Sequence, residues 1–155
     1  MLESLAVGAV ERLSYLVPKE KTVPFLLPES PEFLRFPEVL ATGYMVGLME
    51  WCCIRSLAPF LQPGEGSLGT MINVKHLAAT PPGCLVNIES TVISIFGRQV
   101  VWRVVAHDSV DIIGEGEIGR TIVKWDYFNS KLEQKKRLVQ PMNNSATVNN
   151  FESRE

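Results

Sequence analysis

The stretch Gly43 to Phe60, GYMVGLMEWCCIRSLAPF, carries two charges, Glu50 and Arg55, and is otherwise apolar on every helical face. A helix that is hydrophobic all round has to be enclosed by other structure. Thr42 just before it reads as an N-cap, and Pro59 fits near its end. At 155 residues the chain is one domain, large enough for a core of its own, so the enclosing layer has to come from the same domain.

The rest of the chain supplies that layer. GAVERLSYLV (8–17) reads as a first strand closed by Pro18, and KTVPFLL as a short extended piece. PESPEFLRFPEVL is punctuated by proline and has room only for short helical turns. After the helix come four strand-like runs: SLGTMINVKHL, CLVNIESTVISIF, RQVVWRVVAHD and VDIIGEGEIGRTIVKW. Gly97-Arg98 makes a tight turn between the middle two, and the glycines of the last mark a bulge. DYFNSKLEQKKRLV reads as a terminal helix. From Gln140 the composition turns polar, which predicts a domain over 1–139 and a disordered tail over 140–155. One central helix and a run of long antiparallel strands predict an α+β hot-dog fold, a curved sheet wrapped around the helix. Its open edges predict pairing of sheets in a homodimer.

Composition narrows the function. A formal net charge of −2 presents no basic field for nucleic acid or an anionic membrane. No run approaches a membrane span and no leader pattern opens the chain. The three cysteines, Cys52, Cys53 and Cys84, form no C-x-x-C pair, and reduced thiols in the cytoplasm are the simplest reading. With two histidines, a His-rich metal site is not expected. PGEGSLGT (63–70) contains G-x-G-x-x-G, repeated at 114–119, but the first copy follows a helix and leads into a strand. A dinucleotide loop needs the reverse order, so no nucleotide cofactor is expected.

The segment PESPEFLRFPEVLATGYMVGLMEWCCIRSLAPFLQPGEGSLGTMINVKHLAATPPG, Pro28 to Gly83, closely resembles the fluoroacetyl-CoA thioesterase family, a branch of the hot-dog thioesterases. Looser similarity runs from the first strand to about residue 134. The resemblance implies catalytic roles for Thr42, Glu50 and His76. It implies a hydrophobic lid at Phe33 and Phe36, and a backbone position beside the thioester at Gly69. It implies hydrolysis of a short acyl-CoA, fluoroacetyl-CoA first, with no cofactor or metal; CoA enters as part of the substrate.

The residues carry their own readings beside it. A carboxylate in an apolar helix costs several kcal/mol if ionised and unpaired, so Glu50 is either a paired structural acid or a functional one. Arg55 lies roughly 140° around the helix from Glu50 and is a poor partner for it. Thr42 works as a cap, as an active-site hydroxyl, or as both. Eight residues of helix put Thr42 and Glu50 roughly 12 Å apart, which predicts that one site draws them from different subunits. His76 is an exposed strand-end histidine or a proton carrier. Cys52 and Cys53 read as inert packing, His107 as structural, and Phe33 and Phe36 as packing aromatics. Lys75, Arg120 and Lys124 are cations available to CoA phosphates, none of them assigned. A broader short-chain thioesterase, a non-catalytic acyl-CoA sensor and a hot-dog dehydratase or hydratase are the alternatives.

Overall fold

The computed structural model describes residues 4–139; the tail expected at 140–155 lies outside the described residues. Strand β1 (Val10–Leu16) is followed by two 3-10 turns, Lys19–Lys21 and Val23–Phe25. The extended piece expected there is therefore turned, because Pro18 and Pro24 fix φ and remove backbone donors. The one-turn helix α1 (Pro31–Leu34) is capped by Ser30, whose hydroxyl accepts from Phe33 N. The long helix α2 (Thr42–Leu57) runs into a 3-10 turn at Ala58–Phe60. Strands β2 (Glu65–His76), β3 (Leu85–Phe96), β4 (Gln99–His107) and β5 (Ile112–Lys124) follow, and helix α3 (Trp125–Leu138) ends the described chain.

All strand pairs are antiparallel, in the order β1-β3-β4-β5-β2. Helix α2 touches all five strands, the arrangement the hydrophobic helix demanded. Its inner face, Met45, Leu48, Met49, Cys52, Cys53 and Leu57, packs on Val86, Ile88, Trp102, Val104 and Ile118. Each such side chain contributes about 1.5–3 kcal/mol on full burial. Trp102 Nε1 donates to Ser56 Oγ at 3.1 Å, which satisfies the indole and fixes the helix against the sheet.

The enclosure is one-sided. Trp51 and Ile54 are 46% and 40% exposed, whereas the sequence pattern predicted burial on every face. A single sheet layer reaches one side of a helix, and the described residues supply no second layer over the other. Two details place the active-site region. The β2–β5 register shifts between Gly69 and Met71, leaving Thr70 as the extra residue of a bulge. The β5 glycines that suggested a bulge serve close packing as well: a Cβ at Gly116 would overlap the Asn73 carbonyl oxygen. The bulge in β5 itself falls one residue before Gly114, at Ile113.

Candidate active site

Strand β2 brings two of the sequence-predicted residues to α2. His76 is its last residue, and Thr42 Oγ1 lies 2.7 Å from His76 Nδ1. Thr42 is thus the first residue inside the helix rather than its cap. Ala41 occupies the cap position and no side chain caps the helix. The hydroxyl expected to cap has instead gone to the imidazole, and the N–H groups of the first turn stay open to a ligand.

His76 is half-buried, and its Nε2 is buried with no hydrogen-bond partner among the described residues. Burial pushes its pKa below the ordinary 6.5, with the Ala78 backbone pulling weakly the other way. Neutral imidazole with one nitrogen engaged by Thr42 leaves Nε2 to exchange a proton with whatever docks there.

Glu50 forms a second cluster. Its Oε2 accepts from Arg120 Nη1 at 2.5 Å, while Arg55 pairs with Glu11 instead. Arg120 is 5% exposed and is itself held by β2: Nε donates to Ser67 Oγ at 2.9 Å and Nη2 to the Ser67 carbonyl at 2.8 Å. A buried guanidinium tied at all three nitrogens is a fixed positive charge, and it holds one Glu50 oxygen in place. The other oxygen, Oε1, makes no hydrogen bond among the described residues, and the side chain is 32% exposed. Gly69 sits opposite Arg120 in the ladder. A Cβ there would fall 2.6 Å from Glu50 Oε2, so only glycine lets the carboxylate rest on the strand. The glycine expected to open backbone to a substrate therefore first makes room for the acid.

The two clusters do not touch each other: Thr42–His76 lies at the start of α2 and Glu50–Arg120–Gly69 two turns along it. Phe33 lies within α1 and Phe36 just beyond it, with ring centroids 6.3 Å apart; Phe33 is half-buried and Phe36 is 54% exposed. Cys52 and Cys53 are buried, and burial pushes the Cys53 thiol up to about 12, which leaves it protonated and inert as a nucleophile. No cluster of metal-ligating side chains occurs among the described residues. Arg120 was legible in the sequence only as one cation among several. Its pairing with Glu50 spans 70 positions, and no local spacing signals it.

Known proteins of similar sequence and fold place the chain in a family. A fluoroacetyl-CoA thioesterase of Streptantibioticus cattleyicolor is 53% identical over 135 residues, covering 87% of this chain and 97% of that protein. The solved structure of the fluoroacetyl-CoA thioesterase FlK superposes with a TM-score of 0.84 at 53% identity, covering 86% of this chain and 98% of that one. A threonine-to-alanine variant of it bound to fluoroacetate gives 0.82 at 54% identity, over 84% and 98% of the two chains. A Thermus thermophilus member of the thioesterase superfamily shares the fold at 26% identity, with a TM-score of 0.75 over 88% and 96%. Residues 17–126 match the fluoroacetyl-CoA-specific thioesterase family itself, and the chain belongs to that family.

Proposed function

We propose that the protein hydrolyses fluoroacetyl-CoA to fluoroacetate and CoA. We further propose that it does so as a cytoplasmic homodimer whose sites combine Thr42 and His76 of one subunit with Glu50 of the other. The observation that carries this reading is the chemistry of the divided site. A hydroxyl–imidazole pair with an idle Nε2 stands at one end of α2, and a clamped carboxylate with an idle Oε1 stands two turns away. Each half lacks what the other offers, and the outer edge of β2, unpaired among the described residues, together with the exposed Ile54 and Ile72 supports a second copy as the complement.

Hydrolysis adds water across the thioester carbonyl and breaks the C–S bond, giving the free acid and CoA thiol. Glu50 Oε1 either attacks the carbonyl carbon or takes a proton from the attacking water. Arg120 keeps the carboxylate oriented for either role. The uncapped N–H groups at the start of α2 suit the oxyanion as it develops. The proton that the attacking water releases passes through the neutral His76 Nε2 to the leaving thiolate, the ring held through Nδ1 by Thr42. Phe33 and Phe36 cover the acyl group and exclude water, which strengthens these polar contacts. CoA supplies its own chemistry as substrate, and the residues assigned here call for no metal or cofactor.

The test is thiol release from fluoroacetyl-CoA and acetyl-CoA at matched concentrations, for the protein and for Glu50→Gln. The expected result is rapid release from the fluorinated ester and a loss of about 10²–10⁴-fold in the variant. Equal turnover of both esters would keep the thioesterase and remove the fluorine preference. Binding of either ester without thiol release would refute the enzymatic reading in favour of an acyl-CoA-binding domain.

A further inference from the structure

Both halves of the Thr42–His76 contact hang from one buried residue. Thr80 is fully buried, four positions after His76, and its carbonyl accepts from Leu40 N at 2.7 Å, two positions before Thr42. Leu40 is held from its other side by a bridge to Thr22, and Ala41 N donates to the Lys21 carbonyl at 3.1 Å. The approach to α2 is therefore fixed across a narrow ladder whose outer rung is Thr80.

Thr80 is fixed in turn by Asp108, a carboxylate only 7% exposed in the β4–β5 connection. Thr80 Oγ1 donates to Asp108 Oδ2 at 2.9 Å. Asp108 Oδ1 accepts from Val110 N at 3.1 Å and Asp111 N at 2.9 Å, so one oxygen closes the turn and the other reaches across to Thr80. Closing the turn needs only the first of these. At its other end the short segment after His76 is held where Leu77 N donates to the Ile113 carbonyl at 2.7 Å, just beyond the same turn. The His76 segment is thus anchored at both ends to β5 and its preceding turn, while the Thr42 segment is anchored to Thr80 at one of those ends.

We infer that Thr80 and Asp108 are positioning residues for the reaction: the Thr80–Asp108 hydrogen bond sets the distance between Thr42 Oγ1 and His76 Nδ1. The inference rests on the assignment of Thr42 and His76 to catalysis. Neither Thr80 nor Asp108 touches that pair, so both act through the backbone of residues 40–42 and 76–80. Losing the bond frees the two segments to drift apart, and a misplacement near 1 Å costs about 10²-fold in rate.

The experiment compares Thr80→Val, Thr80→Ser and Asp108→Asn in the full chain. Kinetics on fluoroacetyl-CoA at 25 °C and the ring ¹⁵N signals of His76 are both read; the second is simple because the chain has two histidines. Thr80→Val and Asp108→Asn are expected to lower kcat by about 10–100-fold with KM within about twofold, and Thr80→Ser to restore kcat. In the same two variants the His76 ring signals are expected to move from one preferred tautomer toward the average of two. Folded variants with a lower Tm but unchanged kcat and unchanged His76 signals would overturn the inference and leave the pair as a stabilising contact alone. Should Thr80→Val fail to fold, the isosteric Asp108→Asn decides by the same readings. A wild-type protein that releases no thiol would refute the thioesterase reading, and the His76 signals would still report on the positioning.

Discussion

Glu50 announces itself in the sequence as a lone carboxylate in an apolar helix, and Arg120 explains how the fold tolerates it. The guanidinium is more deeply buried than the acid, so removing it leaves a half-buried carboxylate without its charge partner. Arg120→Met is expected to destabilise the protein by about 2 kcal/mol, below the range for fully buried pairs because water screens Glu50. Urea unfolding measures it, with an unchanged midpoint as the contrary result. His76 gives a pH prediction whose sign is fixed by its depressed pKa. The unfolded chain takes up the proton at a higher pH than the folded one. Stability from the neutral, buried ring is therefore complete above the ordinary 6.5 and is lost as the pH falls through the lower folded value. The acid limb of the kcat/KM profile should likewise have its midpoint below 6.5. A midpoint above it would mean that the ring works as the imidazolium or is not the titrating group.

Among the elements, the strands and the terminal helix were legible because their signals are local: alternation, β-branched residues and a turn at Gly97-Arg98. The interval between β1 and α2 was not. Its prolines predicted irregularity, but its shape comes from Leu40 pairing with Thr22 across the segment and from docking on Thr80. The N-cap reading of Thr42 failed for a related reason. A threonine before a helix caps it by default, unless a stronger partner such as His76 competes for the hydroxyl. The turn after β4 holds one strained residue, Ser109, at φ 79°. Ser109→Gly should relieve it and raise stability by about 1 kcal/mol, or roughly 3 °C in Tm for a domain of this size. A lower Tm would show that the Ser109 side chain contributes more than its backbone costs.

For the whole molecule, the separation of the two clusters along α2 makes subunit sharing testable without a structure of the dimer. Thr42→Ala and Glu50→Gln are each expected to be inactive. Mixed and allowed to exchange subunits, they form heterodimers in which one of two sites is intact, restoring about a quarter of wild-type activity if pairing is random. A mixture that stays as inactive as its parents, with exchange verified, would confine each site to one chain.

By itself the sequence determined the helix that must be enclosed, the strands that enclose it, and Glu50 as an acid out of keeping with its neighbours. Thr42 and His76 came forward only through the resemblance of their surroundings to a known family. The tertiary structure alone decided that Glu50 is clamped by Arg120 across Gly69, that Thr42 turns to His76, and that Asp108 and Thr80 hold the approach to α2. The hydrogen bonds among them join positions 28 to 70 residues apart, and their geometry follows from sheet register and helix docking rather than from any local preference of the chain.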